Sequence, residues 1–426
     1  MIAIFSKGIS GGVLELAREA KAENFEVLLI TDEGSVDKMS RLKLFDKIVG
    51  IPLREMYNSR KLADHFSEVS QRNKIETVFS CYDPFGPAVC DILKTHYGAS
   101  SEFDNLKLCY FKSEVRSRLK ADGVDDLPFF LIHHLKDMEL LKDQVAISKD
   151  SRWILKPSFG TSSELVSPPL NSFDELFQFY VSALRSGRQH IKEMRHNDTN
   201  WADVYLMEKY VDGEEYSVEG ICSNGKVVIA GAVQKQGLTI INGIRSEGVN
   251  FAPIKDAEHF QALSDLARKT VCALRISNTP FHIEMRWDRT ASRPRVIELN
   301  PRLPGGLLCN IHKDRHGVSL AKLFLQARLG VQMRNGEPKI DDRFYGDLPL
   351  PTTRAGIYRG VSIPNGFDQE SSKLGDVDII DFLADGEVLD PSHSEAYFAH
   401  AYIKADSEDK FWSAVKLCEK VSPIVD

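Results

Sequence analysis

The chain has 426 residues, of which 42% are hydrophobic and 27% charged, so it can bury large cores and should divide into two to four domains or subdomains. Its net charge of −7 excludes an overall basic surface for nucleic acid or an anionic membrane, and its seven scattered cysteines form no CxxC pair. No apolar run is long enough for a transmembrane helix. We therefore expect small-molecule partners, no nucleic-acid or membrane partner, and by default a cytoplasmic location.

The first 105 residues alternate strand and helix patterns, which predict a Rossmann-like α/β domain with a parallel sheet. The segment GISGG after the first strand contains glycines that can cradle a phosphate, but a tight strand-to-helix turn is the better interpretation because the full dinucleotide pattern is missing. Asp83 follows the strand Thr77–Cys81, at the edge where open α/β sheets bind ligands. Capping of the next helix is an equally good interpretation for Asp83.

A single helix is predicted from about residue 105 to 120, with Lys112 and Arg116 on one side. By pattern alone, this side is a solvated charged face. A short strand beginning at Trp153 ends in Lys156 and is followed by SFGTSS. The hydroxyl and backbone N–H groups of this loop can surround a phosphate while Lys156 supplies positive charge, although one glycine is a weak signal.

In the middle of the chain, the sequence pattern predicts several strands and one long loop. A strand over Val204–Val211 runs into DGEE, and Asn224-Gly225 predicts the turn of a hairpin. Residues 237–253 contain three glycines and no sustained period, which indicates a mobile loop over a site, with Glu247 in it. The chain also contains His133, His134, His312 and His316 without partners at metal-ligand spacing, so we interpret them as surface or core residues.

The stretch from Pro280 to Gly306 carries the strongest functional pattern, PFHIEMRWDRTASRPRVIELNPRLPGG. Its first half alternates, so that Glu284 lies on the polar face of a strand, and a second strand presents Glu298 and Asn300 at its end. Two carboxylates and an amide oxygen suit Mg²⁺, which usually binds together with substrate phosphates. The sequence therefore predicts that the metal arrives with a nucleotide.

The alternative for this stretch is a pair of half-buried strands whose acids are neutralised by Arg286, Arg295 or Arg302. Residues 301–306, PRLPGG, favour the site, because their prolines and glycines cannot continue a strand ladder. Arg302 is then presented beside the acids from a constrained loop.

Taken together, these residues resemble the ATP-grasp superfamily, most closely its carboxylate–amine ligases of the L-amino-acid ligase type, over roughly residues 1–420. The resemblance implies a combined α/β and α+β fold. It comprises a Rossmann-like domain over residues 1–105, an ATP-grasp domain over 106–335 with a lid subdomain at about 150–215, and a C-terminal mixed-sheet subdomain over 336–426 that packs on the core.

The resemblance also implies ATP and Mg²⁺ as cofactors, with Mn²⁺ as an alternative metal. The residues that it assigns to ATP are two phosphate-binding lysines, a loop serine, an adenine-contacting hinge and a ribose-binding acid: Lys112, Lys156, Ser163, Glu208, Lys209, Val211 and Glu215. The implied metal ligands are Glu284, Glu298 and Asn300.

On the substrate side, Arg302 matches an arginine that the family aims at the reacting carboxyl group, and Glu247 matches a catalytic glutamate on the amine side. Asn250 replaces a histidine of the family pattern, and Asp83 stands roughly where a glutamate is common. Gly305 and Gly306 complete the implied substrate site. In the phosphate loop, Ser162 and Leu165 stand where the family usually has glycine.

The function that the resemblance implies is an ATP-dependent ligase that joins a small carboxylate, such as an amino acid, to an amine through an acyl phosphate, with release of ADP and phosphate. A biotin-carboxylase-like enzyme, a D-alanine–D-alanine-ligase-like enzyme and a non-catalytic nucleotide-binding scaffold are the alternatives. A homodimer is a further expectation.

Overall fold

The computed structural model describes residues 1–98, 101–142, 144–145, 147, 151–160, 165–186, 204–236, 239–241, 244–254, 256–334, 341–352, 354–383, 385–390 and 397–426. The helices in these ranges are α1 Gly11–Ala22, α2 Val36–Arg41, α3 Leu53–Met56, α4 Ser59–Arg72, α5 Gly86–Tyr97, α6 Ser101–Leu108, α7 Lys112–Ala121, α8 Leu135–Leu141, α9 Phe173–Ser186, α10 Ala257–Ala273, α11 Leu308–His316, α12 Leu320–Arg328, α13 Phe367–Leu374 and α14 Glu408–Cys418. None of the helices in these ranges is long and apolar enough to cross a membrane.

The strands form several separate sheets. They are β1 Ile2–Phe5, β2 Val27–Asp32, β3 Lys47–Ile51, β4 Thr77–Ser80, β5 Phe129–Ile132, β6 Trp153–Pro157, β7 Tyr205–Lys209, β8 Glu215–Ser223, β9 Lys226–Lys235, β10 Thr239–Ile241, β11 Ile244–Ser246, β12 Asn250–Ala252, β13 Thr279–Asp288, β14 Arg293–Asn300, β15 Phe344–Pro351, β16 Gly356–Ser362, β17 Asp376–Asp381, β18 Val388–Leu389, β19 Tyr397–Ala405 and β20 Ser422–Val425.

The N-terminal sheet has the order β3-β2-β1-β4, and all of its strand pairs are parallel, as predicted. Its strands are apolar on both faces because helices cover both. One face packs on α1 and, from much later in the chain, on α12, where the rings of Phe79 and Phe324 meet edge to face at 4.8 Å. The other face packs on α4 and α5. The long-range contact of α12 ties this domain to the rest of the molecule.

The predicted helix over residues 105–120 is wrong in one respect, because the chain forms two helices, α6 and α7, with a break between them. Tyr110 and Phe111 lie in the break and are buried. The Phe111 ring packs on Phe159 at 5.4 Å, and a Cβ on Gly86 would lie 2.0 Å from the Tyr110 ring. Burial of both rings stabilises an extended backbone at Phe111, so a new helix begins at Lys112.

A small antiparallel sheet of order β5-β7-β6 packs against α8 and α9. We call it the lid sheet, because β6 and β7 lie in the interval of about 150–215 that was predicted as a lid subdomain. The sheet begins earlier in the chain than the interval of about 150–215 suggested, since β5, at Phe129–Ile132, supplies one of its edges.

The largest sheet has the order β14-β13-β8-β9-β12-β15-β19-β17, and its strand pairs are antiparallel. The β8–β9 hairpin turns at Asn224-Gly225 as predicted, with both residues at positive φ. Strands from the C-terminal subdomain, β15, β19 and β17, continue the sheet that carries β13 and β14. The C-terminal residues are therefore positioned to contribute to the same site.

The predicted mobile loop over residues 237–253 is wrong for its last part. Strand β12 is an interior strand of the largest sheet and pairs with both β9 and β15. Strands β10 and β11 form a separate two-stranded hairpin. The pattern misled because three-residue strands are too short to show alternation.

Candidate active site

Two carboxylates face each other across the β13–β14 pair. Glu284 is the cross-strand partner of Glu298, and His282 is the partner of Asn300, in the register that the alternation predicted. A bulge follows Glu284. Like charges at opposed positions destabilise a sheet. The pair therefore needs positive charge close by.

Lysines supply that charge. The Nζ of Lys235, at the end of β9, contacts the Glu284 carboxylate, and the Nζ of Lys112 lies 3.3 Å from Glu298 Oε1. Burial alone would raise the pKa of the Glu284 carboxyl, but Lys235 and His282 outweigh burial and hold that pKa well below its usual range. Glu284 is thus ionised at neutral pH.

The alternative in which Arg286, Arg295 or Arg302 neutralises these acids is wrong. Arg286 pairs with Glu215 at 2.7 Å, and Arg302 pairs with Asp83 at 2.6 Å. Arg295 pairs instead with the aspartates at the start of the lid and at the end of β13, which are Asp125, Asp126 and Asp288.

A cavity of about 600 Å³ lies between the lid sheet and the largest sheet. Its lining includes six of the seven residues that the resemblance assigns to ATP, which are Lys112, Lys156, Glu208, Lys209, Val211 and Glu215. Ser163 lies outside the described residues. The Nζ of Lys112 donates to the carbonyl oxygen of Gly160, in the segment SFGTSS that follows β6, at 2.9 Å.

Arg116 corrects the interpretation of α7 as a solvated face, because its side chain is only 3% exposed. Its guanidinium donates to Glu208 at 2.7 Å and to Asp125 at 3.1 Å. Lys156 Nζ lies 3.1 Å from the other oxygen of Glu208 and donates to the carbonyl of Ile297 at 2.9 Å. This buried network joins α7, the lid sheet and β14 at the floor of the cavity.

Arg286, on β13, and Glu215, on β8, line one side of the larger cavity. The guanidinium of Arg286 lies 4.9 Å from the centre of the Tyr210 ring and donates to Glu215 Oε2 through Nε at 3.0 Å. Glu215 therefore lines the cavity as an ion-paired acid.

A second cavity, of about 270 Å³, lies on the other side of the carboxylate pair. It shares Lys235, Glu284 and Glu298 with the larger one. Residues from four parts of the chain complete its lining, and most of them are polar. They include Glu247, Asn250, Asn300, Arg302, Gly305, Gly306, Asp347, Tyr397 and His400. The predicted substrate residues are thus brought together, with the exception of Asp83.

Asp83 lies against Arg302 and is not among the described residues that line either cavity. Its Oδ2 accepts from Arg302 Nε at 2.6 Å, and its buried Oδ1 has no hydrogen-bond partner in the described structure. Neither carboxylate oxygen accepts a described hydrogen bond from a backbone N–H, and the N-cap of α5 is Phe85, so the capping interpretation is wrong. Burial disfavours the Arg302 cation, but Asp83 outweighs burial and raises the pKa of that guanidinium.

Glu247 is an acid of the second cavity whose carboxyl has a raised pKa. Burial raises the pKa of its carboxyl, and the nearby Glu284 charge raises it further, against the opposing effect of Lys235. Its backbone N–H donates to the hydroxyl of Tyr397 at 2.8 Å. Tyr397 thereby fixes the β11–β12 connection to β19.

Gly306 sits where the chain passes closest to neighbouring groups. Its φ is +54°, and a Cβ there would lie 2.1 Å from Asp347 Oδ2. From the N-terminal domain, a Cβ on Gly11 would lie 2.0 Å from the Gly306 carbonyl oxygen. Gly11 of GISGG therefore allows the N-terminal domain to pack closely on the loop that carries Gly306.

The donor set fits a hard cation. Glu284, Glu298 and Asn300 offer carboxylate and amide oxygens at the point where the two cavities meet, as Mg²⁺ bound with phosphates requires. The described residues contain no group of three or more His, Cys, Asp or Glu side chains placed to hold a metal. A metal here would therefore complete its coordination from a ligand such as a nucleotide.

Three residues that line the second cavity were not predicted as site residues from the sequence: Lys235, Asp347 and His400. Asp347 and His400 lie in apolar strands, and each is at most 9% exposed. A charged or imidazole side chain inside an apolar strand is a signal for a buried polar site. His312, interpreted as a surface or core residue, lies in the core, and its Nε2 lies 2.8 Å from the fully buried Glu219.

The chain contains an ATP-grasp domain. Residues 150–311 match the model of the ATP-grasp domain, and the whole chain shares its fold with solved ATP-grasp structures. Over 136 residues it is 26% identical to carnosine synthase 1 of Mus musculus, a match that covers 31% of this chain and 16% of that protein. The chain thus spans only a small part of the length of that relative.

Among solved structures, the L-amino acid ligase from Bacillus licheniformis has a TM-score of 0.76 and 19% identity, with 100% of this chain and 99% of that chain covered. The biotin carboxylase domain of 2-oxoglutarate carboxylase from Hydrogenobacter thermophilus, in complex with MgADP, ADP and bicarbonate, has a TM-score of 0.72 and 15% identity, with 99% and 90% covered. At these identities the likeness establishes the fold.

Proposed function

We propose that this protein is an ATP-dependent carboxylate–amine ligase that forms an amide or peptide bond through an acyl phosphate and releases ADP and phosphate. The acid is an amino acid or a related small carboxylic acid. One observation carries the proposal: Glu284 and Glu298 border two cavities at once. The larger has room for a nucleotide, and the smaller is polar and contains Arg302. This arrangement suits transfer of a phosphoryl group from one cavity to the other.

The chemistry needs both cavities. A free carboxylate is a poor acyl donor because its leaving group would be oxide, whereas an acyl phosphate releases phosphate. Lys112 and Lys156 would neutralise the nucleotide phosphates. Glu284, Glu298 and Asn300 would hold Mg²⁺, which supplies further charge neutralisation when bound.

Arg302 is suited to hold the acyl group. Its Nε and Nη1 are engaged with Asp83 and with the carbonyl of Leu303, and its Nη2 has no partner in the described part of the chain. The salt bridge with Asp83 therefore orients a guanidinium that can still donate to a substrate oxygen. When the amine attacks, Arg302 would stabilise the developing oxyanion.

A phosphate-release screen of L-amino acids in pairs, with ATP and Mg²⁺, tests the proposal, and mass spectrometry of the products identifies the new amide. We expect release only when an acid and an amine are both present. Release that requires biotin and bicarbonate, or D-alanine, would favour the other enzyme classes. Tight ATP binding with no release for any pair would favour a scaffold.

A further inference from the structure

We infer that His400 is the general base that removes a proton from the amine substrate, and that Asp347 positions its ring. The inference rests on the ligase function proposed above. His400, on β19, and Asp347, on β15, line the smaller cavity together with Arg302. The C-terminal subdomain thereby contributes a reactive group to a site that is otherwise built from the ATP-grasp domain.

The contacts of the pair determine which nitrogen is basic. His400 Nδ1 lies 2.7 Å from Asp347 Oδ1, and Asp347 Oδ2 accepts from the backbone N–H of Leu307 at 2.9 Å. Asp347 is 1% exposed. Because an ionised carboxylate only accepts hydrogen bonds, the proton of the neutral ring lies on Nδ1. Nε2 is then the nitrogen with a free lone pair.

The ring of His400 is held by its neighbours. The ring centre of Phe382 lies 5.0 Å away and that of Tyr397 lies 5.9 Å away, nearly perpendicular. A Cβ at Gly306 would lie 3.4 Å from the Cε1 of His400. The imidazole is therefore fixed beside the loop that carries Arg302.

The position of Asn250 explains why this imidazole is needed. Asn250 is the cross-strand partner of Asp347 and lines the same cavity. It stands where the family that the sequence resembles has a histidine, and its amide cannot accept a proton at neutral pH. His282 does not fill the role, because its two ring nitrogens face Glu219 at 2.7 Å and Glu284 at 3.4 Å. His400 places an imidazole in the same cavity from β19 instead of β12.

The proposed step is balanced. An amine substrate enters as an ammonium ion, which has no lone pair for attack. His400 Nε2 accepts one proton from it, and the freed nitrogen forms a bond to the acyl carbon. The bond from that carbon to the phosphate oxygen breaks, and the leaving phosphate takes the second proton that the nitrogen loses as it becomes an amide. The imidazolium returns its proton to water after product release.

The test compares two nucleophiles, so that formation of the acyl phosphate is measured separately from removal of a proton from the amine. Hydroxylamine is unprotonated at neutral pH, so it captures the acyl phosphate as a hydroxamate without a base. His400→Asn keeps a side-chain N–H for Asp347 but removes Nε2. We expect amide formation from the active amino-acid pair to fall by about 10²–10⁴, as for loss of a general base, while hydroxamate formation stays close to the parent rate.

Two further variants complete the test. Asp347→Asn should show the same selective loss, because an amide that donates to Nδ1 places the proton on Nε2. His316→Asn alters a histidine on α11 that is not in the described lining of either cavity, and both rates should match the parent.

Equal loss of amide and hydroxamate in His400→Asn would overturn the general-base role while the ligase function stands. An unchanged amide rate in His400→Asn would overturn it equally. A parent protein that forms neither hydroxamate nor amide with any amino acid would instead overturn the ligase proposal itself.

Discussion

Glu284 and Glu298 lie directly opposite each other on adjacent antiparallel strands, and each is matched by a lysine, Lys235 and Lys112. Two opposed carboxylates cost stability in a sheet. Their retention at the junction of the two cavities is explained if they hold a cation that arrives with phosphates.

Replacement of Glu298 by Gln should nearly abolish turnover and leave the fold intact. The substitution removes one anionic oxygen donor for Mg²⁺, yet it also relieves the repulsion with Glu284. We expect phosphate release close to background and a melting temperature near that of the parent. Glu258→Gln, an exposed acid on α10, is the matched control. Turnover close to the parent at ordinary Mg²⁺ would refute the assignment.

Arg302→Lys should lose much of the amide-forming rate while ATP affinity changes little. Lysine keeps a positive charge for Asp83, but it lacks the planar fork that bonds Asp83 and the carbonyl of Leu303 and still directs Nη2 at a substrate oxygen. Loss of one preorganised oxyanion donor costs about 10²–10³ in turnover, or about 2.7–4 kcal/mol of barrier. Calorimetry with ATP and an amide assay on the same variant measure both quantities. Similar losses in affinity and rate would contradict an acyl-binding role.

Neighbouring glycines should respond differently to alanine. Gly306→Ala places a Cβ against Asp347 at positive φ, whereas a Cβ at Gly305 meets nothing within 4 Å. Gly306→Ala should lower the free energy of unfolding by about 1–3 kcal/mol and slow amide formation. Gly305→Ala should stay within about 0.5 kcal/mol of the parent in urea unfolding. Equal effects would mean that the loop is not held against Asp347.

Because Glu219 is a buried carboxylate with a lowered pKa, we expect the protein to lose stability at low pH. Burial alone would raise the pKa of its carboxyl, but His282 and His312 outweigh burial and hold that pKa far below its usual range. The stabilisation is therefore present above the unfolded pKa of about 4.3 and is lost as pH falls through the folded pKa. Glu219→Gln removes the anion that the buried imidazoles of His282 and His312 share, and it should cost about 3–5 kcal/mol at neutral pH.

Urea unfolding of parent and Glu219→Gln over a pH series checks this prediction. The difference in their free energies of unfolding should narrow as the pH falls below about 4.3, the unfolded pKa of a glutamate. A difference that keeps growing below that pH would show that Glu219 is protonated in the folded protein.

Local patterns were sufficient to predict the carboxylate site. Alternation along β13 and β14 placed Glu284, Glu298 and Asn300 together, because side chains in a strand alternate between faces and a short hairpin aligns its two strands. The parallel N-terminal sheet and the Asn224-Gly225 turn followed from equally local signals. The ATP-grasp architecture was implied by the resemblance that the proposed site residues carry.

Burial and partner choice depended on contacts between distant residues. The position of Arg116 along its helix is compatible with either an exposed or a buried side chain. Its ion pairs with Asp125 and Glu208 are what allow this cation to be buried. Lys235 and His400 reach the site because the largest sheet brings β9 and β19 to the same cavity as β13. The order of strands in a sheet is set by packing across the whole chain, which no local pattern encodes.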